Sequence, residues 1–320
     1  MSTILTIVLI IVVVLIAALL ALWIFGERGH LMLPSTRRAM RGGGKRSGSK
    51  PSSAAPRKKP NLLDTLHSYI YGRWTNQYVY VLLHWIVPRL DARGRAHQAD
   101  TYHGKVLTPE LAAEIVTLDH DVNARNLEQI IPYPIARDVI LKTPLAITLY
   151  ECACRHARAN PCQPTNVCMN IGDATGFMVE HNPHSARRIT QQEALEILRA
   201  EHERGHLHSA WFKDVLGDRF YAICNCCKCC CGGIEGMVKY GVPSMVSSGF
   251  VAAIDAANCT ACGVCAKACP FSALSLHDGA AVVNRDKCMG CGVCQGQCAF
   301  EAIALLRDEA RPPPLDVRVL

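Results

Sequence analysis

What this 320-residue chain lacks narrows its chemistry before any motif is weighed. It has no G-x-G-x-x-G turn and no G-x-x-x-x-G-K-[ST] loop, so neither a dinucleotide nor an ATP-type phosphate cradle is indicated. Residues 4–25, ILTIVLIIVVVLIAALLALWIF, hold no charge at all, and no Lys or Arg precedes them. A secretory signal would carry a basic start and a shorter apolar run, so an uncleaved anchor is the better reading. At about 1.5 Å per residue a helix of this length crosses the roughly 30 Å hydrocarbon core. Trp23 and Phe25 fall where an interfacial aromatic belt would lie.

A basic excess is also missing from most of the chain. The formal charge is +7, but residues 26–60 carry ten Lys and Arg against Glu27, which is +9 and leaves −2 for the rest. A basic tract in a Gly/Ser/Pro linker beside an apolar helix suits anionic lipid headgroups; nucleic-acid binding is not expected. Its position after the span puts the N-terminus outside and residues 26–320 in the cytoplasm, where thiols stay reduced. YVYVLLHWIV (78–87) is too short to span and reads first as a core helix, with an interfacial helix as the alternative.

What the chain has in excess is cysteine, 18 in all. Eight of them form a repeat at an offset of 29: CTACGVCAKACPFSALSL (259–276) over CMGCGVCQGQCAFEAIAL (288–305). Each half carries Cys-x₂-Cys-x₂-Cys-x₃-Cys, the two-cluster run in which the fourth cysteine serves the other half's cluster. Residues 250–306 thus resemble bacterial-type 2[4Fe-4S] ferredoxin domains. The resemblance implies one 4Fe-4S cluster on Cys259, Cys262, Cys265 and Cys298 and a second on Cys288, Cys291, Cys294 and Cys269. Ala299 stands where the family has the proline matched by Pro270. Each half should run strand, loop, short helix, strand, with a pseudo-twofold axis.

Ten cysteines remain in the middle: Cys152, Cys154, Cys162 and Cys168, then Cys224, Cys226, Cys227, Cys229, Cys230 and Cys231 in AICNCCKCCCGG. Successive side chains point to opposite faces of a strand and about 100° apart on a helix, so the last six cannot all face one metal. They could hold one or two additional iron–sulfur clusters, a Cys₄ zinc, or a redox dithiol. LAITLY (145–150) and RFYAI (219–223) read as strands running into cysteines, and pairing them would join Cys152 and Cys154 to the later run. Thr108-Pro109 and Thr190/Glu193 read as helix starts and Gly205 as a stop. HERGH (202–206) matches a zincin pair only weakly and reads as a solvated helix end.

Together with ECACR and HNPHSARRITQQEALEIL, the cysteine run makes residues 100–306 similar to iron–sulfur binding proteins of anaerobic bacteria, a family without an assigned reaction. The expected fold is α+β: a transmembrane anchor (1–25), a basic linker (26–60), a mixed α/β cysteine-rich middle domain (61–245), a pseudo-twofold ferredoxin domain (246–310) and a tail (311–320). The expected function is membrane-anchored electron transfer between redox protein partners, without nucleotide cofactor. The alternatives are a ferredoxin-coupled reductase, with His181, His184 or Arg187 assisting a middle active site, and an iron–sulfur redox sensor.

Overall fold

The computed structural model describes residues 2–24, 62–125, 127–132, 138–172, 174–216 and 219–320. Phe25, the Trp23 side chain and the basic linker lie outside them. The uncharged run forms α1 (Ser2–Ile24), and its described side chains are all exposed. Over Thr3–Ala21 its mean hydropathy is 3.5, and it is the one described helix long and apolar enough to cross a membrane.

The head begins with α2 (Leu62–Arg73) and α3 (Thr75–Val81), the latter continuing as a π-helical turn over Leu82–Ile86. This corrects the core-helix expectation for residues 78–87. Leu83 and Val87 point inward, but Tyr80, Val81, Trp85 and Ile86 are exposed as an apolar face. There follow α4 (Ala92–Thr101), β1 (Tyr102–Leu107), α5 (Pro109–Val116), β2 (Val122–Arg125), β3 (Asp138–Leu141), β4 (Ile147–Glu151), α6 (Ala153–His156) and β5 (Asn166–Ile171). Next come α7 (Ala174–His181), β6 (Ala186–Ile189), α8 (Gln191–Glu203), β7 (Leu207–Lys213), β8 (Arg219–Cys226), α9 (Gly232–Tyr240) and β9 (Met245–Val246).

The helix starts follow their sequence signals. Thr108 Oγ1 accepts from Leu111 N with Pro109 at the first position, and Thr190 Oγ1 accepts from Glu193 N at 3.1 Å. Glu193 does not complete a reciprocal box; its carboxylate binds Arg187 instead. Gly205, at φ +77°, ends the segment after α8.

Nine strands form one sheet, ordered β6-β4-β5-β8-β7-β1-β9, with β2 and β3 attached beside β8. β4 and β8 are therefore not neighbours, contrary to the sequence expectation. β5 lies between them, pairing Tyr150 with Cys168 on one side and Met169 with Ile223 on the other. Alternation along the strands divides the sheet's two faces. Leu107, Ala210 and Phe212 face the core shared with Leu111 and Ile115 of α5 and Leu198 of α8. Val106, Trp211 and Tyr221 face the opposite way, into a core shared with Val251, Phe271 and Ile303 of the C-terminal module.

That module comprises β10 (Phe250–Ile254), α10 (Val264–Ala268), β11 (Leu274–His277), β12 (Ala280–Val283), α11 (Val293–Gly296) and β13 (Ile303–Arg307). β10 pairs with β13 and β11 with β12, both antiparallel. The 29-residue repeat extends to the backbone: φ is positive at Ala261 and Gly290, at Gly263 and Gly292, and at Ser272 and Glu301. Gly290 is obligatory, because a Cβ there would stand 2.3 Å from Phe250 O. The last residues pack back onto the head: Leu315 and Val317 are buried in the α5/α8 core, and Arg318 reaches Glu114 at 2.9 Å.

Candidate metal centres

Two sets of four thiols lie in the C-terminal module, and their exposure differs. Cys269, Cys288, Cys291 and Cys294 are all buried. Of the other set only Cys265 is buried; Cys259 and Cys298 are half-buried and Cys262 is exposed. Backbone amides point at the sulfurs: Ala252 N to Cys288, Ala273 N to Cys269 and Ala281 N to Cys259, at 3.3–3.5 Å. Such N–H···S bonds stabilise the negative charge of a cluster's thiolates. Residues 252–299 match the family model of the 4Fe-4S dicluster domain. The C-terminal module is a 4Fe-4S dicluster domain. No curated protein matches the chain.

The dicluster domain sits directly against the middle region. Gln297 Nε2 donates to Glu203 O at 2.9 Å, and Gly296 lies against His202 at the end of α8. Lys228, between Cys227 and Cys229, donates from Nζ to Lys267 O at 2.9 Å, and Lys267 lies between Cys265 and Cys269. Cys226 and Cys231 share one apolar cluster with Cys269 and Cys288 of the dicluster domain.

The ten middle thiols divide into a six and a four. Side-chain contacts run Cys152–Cys154, Cys154–Cys231, Cys231–Cys226, Cys226–Cys224, Cys224–Cys168 and Cys168–Cys152, which closes a ring of six. The backbone geometry explains its membership. Cys224 and Cys226 are two apart on β8 and share a face, Cys168 projects from β5 beside it, and Cys152 and Cys154 flank the start of α6. Cys231 returns as the N-cap of α9. Ring sulfurs also receive donors: Arg155 N at Cys152, Gly232 N at Cys154, Ile234 N at Cys231, and Ser209 Oγ stands 3.5 Å from Cys226.

The remaining four, Cys162, Cys227, Cys229 and Cys230, have sulfurs all within 4.8 Å of one another. They come from the turn after β8 and the loop after α6. Cys162 N donates to Cys230 Sγ at 3.4 Å, and Arg158 donates to Cys230 O at 3.0 and 3.1 Å. Four sulfurs about 2.3 Å from one ion stand about 3.8 Å apart in a tetrahedron, so this spacing fits a single ion. Among the described residues no other set of three or more ligand atoms is this compact. The dicluster thiols are wider because a cubane spreads them over four irons, and the ring of six is wide in the same sense.

A cavity of about 90 Å³ opens beside the ring, walled by Tyr71, Tyr102, Tyr150, Tyr221, Trp211 and Lys213. Tyr71 and Tyr221 share a hydrogen bond of 2.5 Å between hydroxyls, and burial pushes the Tyr71 hydroxyl well above its ordinary pKa. His181, which packs on Tyr69 and Phe177, does not line this cavity; nor do His184 and Arg187.

Sequence reasoning missed the support beneath the thiols. Arg155 is fully buried and donates from Nη2 to Glu201 Oε2 at 2.6 Å; it also stands 3.2 Å from His206 Nδ1 and donates to Pro164 O. Burial pushes the Glu201 carboxyl up, but His206 and Arg155 outweigh it and hold the group below its usual range. The available signal was Glu201 at helical spacing from buried Ala194 and Leu198, a carboxylate on an inward stripe. HERGH is accordingly corrected. His206 is buried against Glu201 at 2.7 Å, and half-buried His202 lies near His208, so the segment is not a solvated helix end.

Proposed function

We propose that the chain is a membrane-anchored electron-transfer protein. One-electron donors reach the exposed set (Cys259, Cys262, Cys265, Cys298), the buried set (Cys269, Cys288, Cys291, Cys294) relays, and metal at the middle thiols receives. The observation that carries this reading is the gradient of exposure. One cluster position opens to solvent, the other is enclosed, and Cys226 and Cys231 share its apolar surroundings. Val264, Leu276 and Phe300, exposed apolar residues around the outer set, offer the donor's docking face. Each set takes one 4Fe-4S cluster, and the compact four-thiol set takes one zinc or iron ion.

The apolar α1, the basic linker and the exposed Tyr80–Ile86 face support attachment to the cytoplasmic side of a bilayer. A cleaved signal would remove α1, so the mature mass checks this directly. The functional test is a potentiometric EPR titration of the anaerobically purified full chain in liposomes, with dithionite as donor. Signals from the dicluster domain and from middle iron should both be reducible. Redox-silent middle metal would end the relay reading and leave the dicluster domain to serve a thiol or zinc site.

A further inference from the structure

We infer that the ring of six thiols is a single site for one iron–sulfur cluster with more than four irons. The ring draws on three separate stretches of chain, 152–154, 168 and 224–231, yet its contacts close on themselves, and all six thiols line one cavity. A site serving a single ion would gather its sulfurs as tightly as the four-thiol set does. No three ring sulfurs are mutually that close among the described residues. The same molecule therefore supplies its own standard for a single-ion site, and the ring is wider.

Coordination number decides the next step. A cubane presents four irons, and each takes one terminal thiolate. Six thiols round one site exceed that by two. Joining two cubane-type units through a shared sulfide removes one terminal thiolate from each, which leaves six. The space is present: about 90 Å³ adjoins the ring, several times what one water needs.

The surroundings also suit a bulky anionic group. Donors aim at Cys152, Cys154, Cys231 and Cys226, from two ends of the ring and from β7. Lys213, almost fully buried, lies on the cavity wall, its ammonium paired with Asp214 at 2.6 Å. Arg155, between the ring and the four-thiol set, brings a positive charge, partly offset by Glu201. Four tyrosines and Trp211 give the cavity a largely apolar wall.

The test weighs and counts the cluster in the anaerobically purified full chain by native mass spectrometry, iron and sulfide analysis, and Mössbauer spectroscopy. The dicluster domain contributes about eight irons and a ring cubane would add about four, so more than about twelve cluster irons is the expected result. Counting on Cys229→Ser as well removes a single iron at the four-thiol set from the sum. About twelve or fewer would overturn the inference. A second measurement guards against misfolding. Each of the six ring cysteines, changed singly to Ser, should alter the ring cluster's spectrum while the dicluster signals persist. Two or more silent positions would mean a cubane with spare thiols. Neither count depends on whether the chain transfers electrons.

Discussion

Residues 224–231 divide between two groups of thiols that differ in spacing and exposure. Cys224, Cys226 and Cys231 go to the buried, wide ring under β8, and Cys227, Cys229 and Cys230 to the compact set on the turn beyond it. The difference is one of backbone, not of residue type. Two-residue periodicity on β8 sends Cys224 and Cys226 one way, and the turn at 228–230 releases the next thiols to the other side. A run of identical thiols is thereby sorted by secondary structure into two separate groups.

The largest expected break between the two concerns access. Cys229 is exposed and Cys162 half-buried, whereas four of the ring's six thiols are buried. A zinc chelator applied anaerobically should strip the ion of the four-thiol set at least about tenfold faster than it removes iron from the ring. Absorbance at the cluster bands and released metal report the two rates. Equal rates would make them one exposed centre. Next in size is Arg155→Met, which leaves Glu201 to His206 and Arg204 and takes the buried donor from Pro164 O and Asn225 O. A loss on the order of 3–5 kcal/mol in urea unfolding is expected, with disturbance at both groups of thiols because Arg155 neighbours Cys152 and Cys227.

A smaller effect lies in the scaffold that holds both sites. His103, buried on β1 against Phe212, has its pKa pushed down to about 4 by burial. The unfolded imidazole titrates near 6.5, so between about pH 4 and 6.5 the unfolded state binds the extra proton. The contribution is whole above pH 6.5 and is lost as pH falls towards 4, on the order of 3 kcal/mol in all. His103→Gln should flatten that part of the profile in urea unfolding at pH 5 to 7. The smallest effect is at the far end: Phe300→Lys should slow reduction of the dicluster domain by a protein donor several-fold, about 1 kcal/mol, leaving small-molecule dithionite reduction unchanged.

The dicluster domain was legible in the sequence because its ligands are local. Three of each half's four cysteines lie within seven residues, and the repeat announces itself in spacing, glycines and flanking strands. The grouping of the middle thiols was not, since their membership depends on strand order. The β4 and β8 segments were identified as strands, but their pairing was not, and Cys168 on the intervening β5 completes the ring. That all six cysteines of 224–231 could not face one metal did follow from periodicity alone. Which three would go with Cys162 did not, because a turn has no period. Residues 78–87 misled for a related reason: an apolar run looks the same buried or facing outward, and here Tyr78, Leu82, Leu83 and Val87 meet the core while Tyr80, Val81, Trp85 and Ile86 do not.

The most direct test compares Cys226→Ser with Cys229→Ser, two positions three residues apart, by iron, zinc and sulfide per chain. Separate centres require that Cys226→Ser lose ring iron and keep the single ion, and that Cys229→Ser lose the single ion and keep ring iron. Loss of the same metal from both variants would contradict the division of the run into two sites.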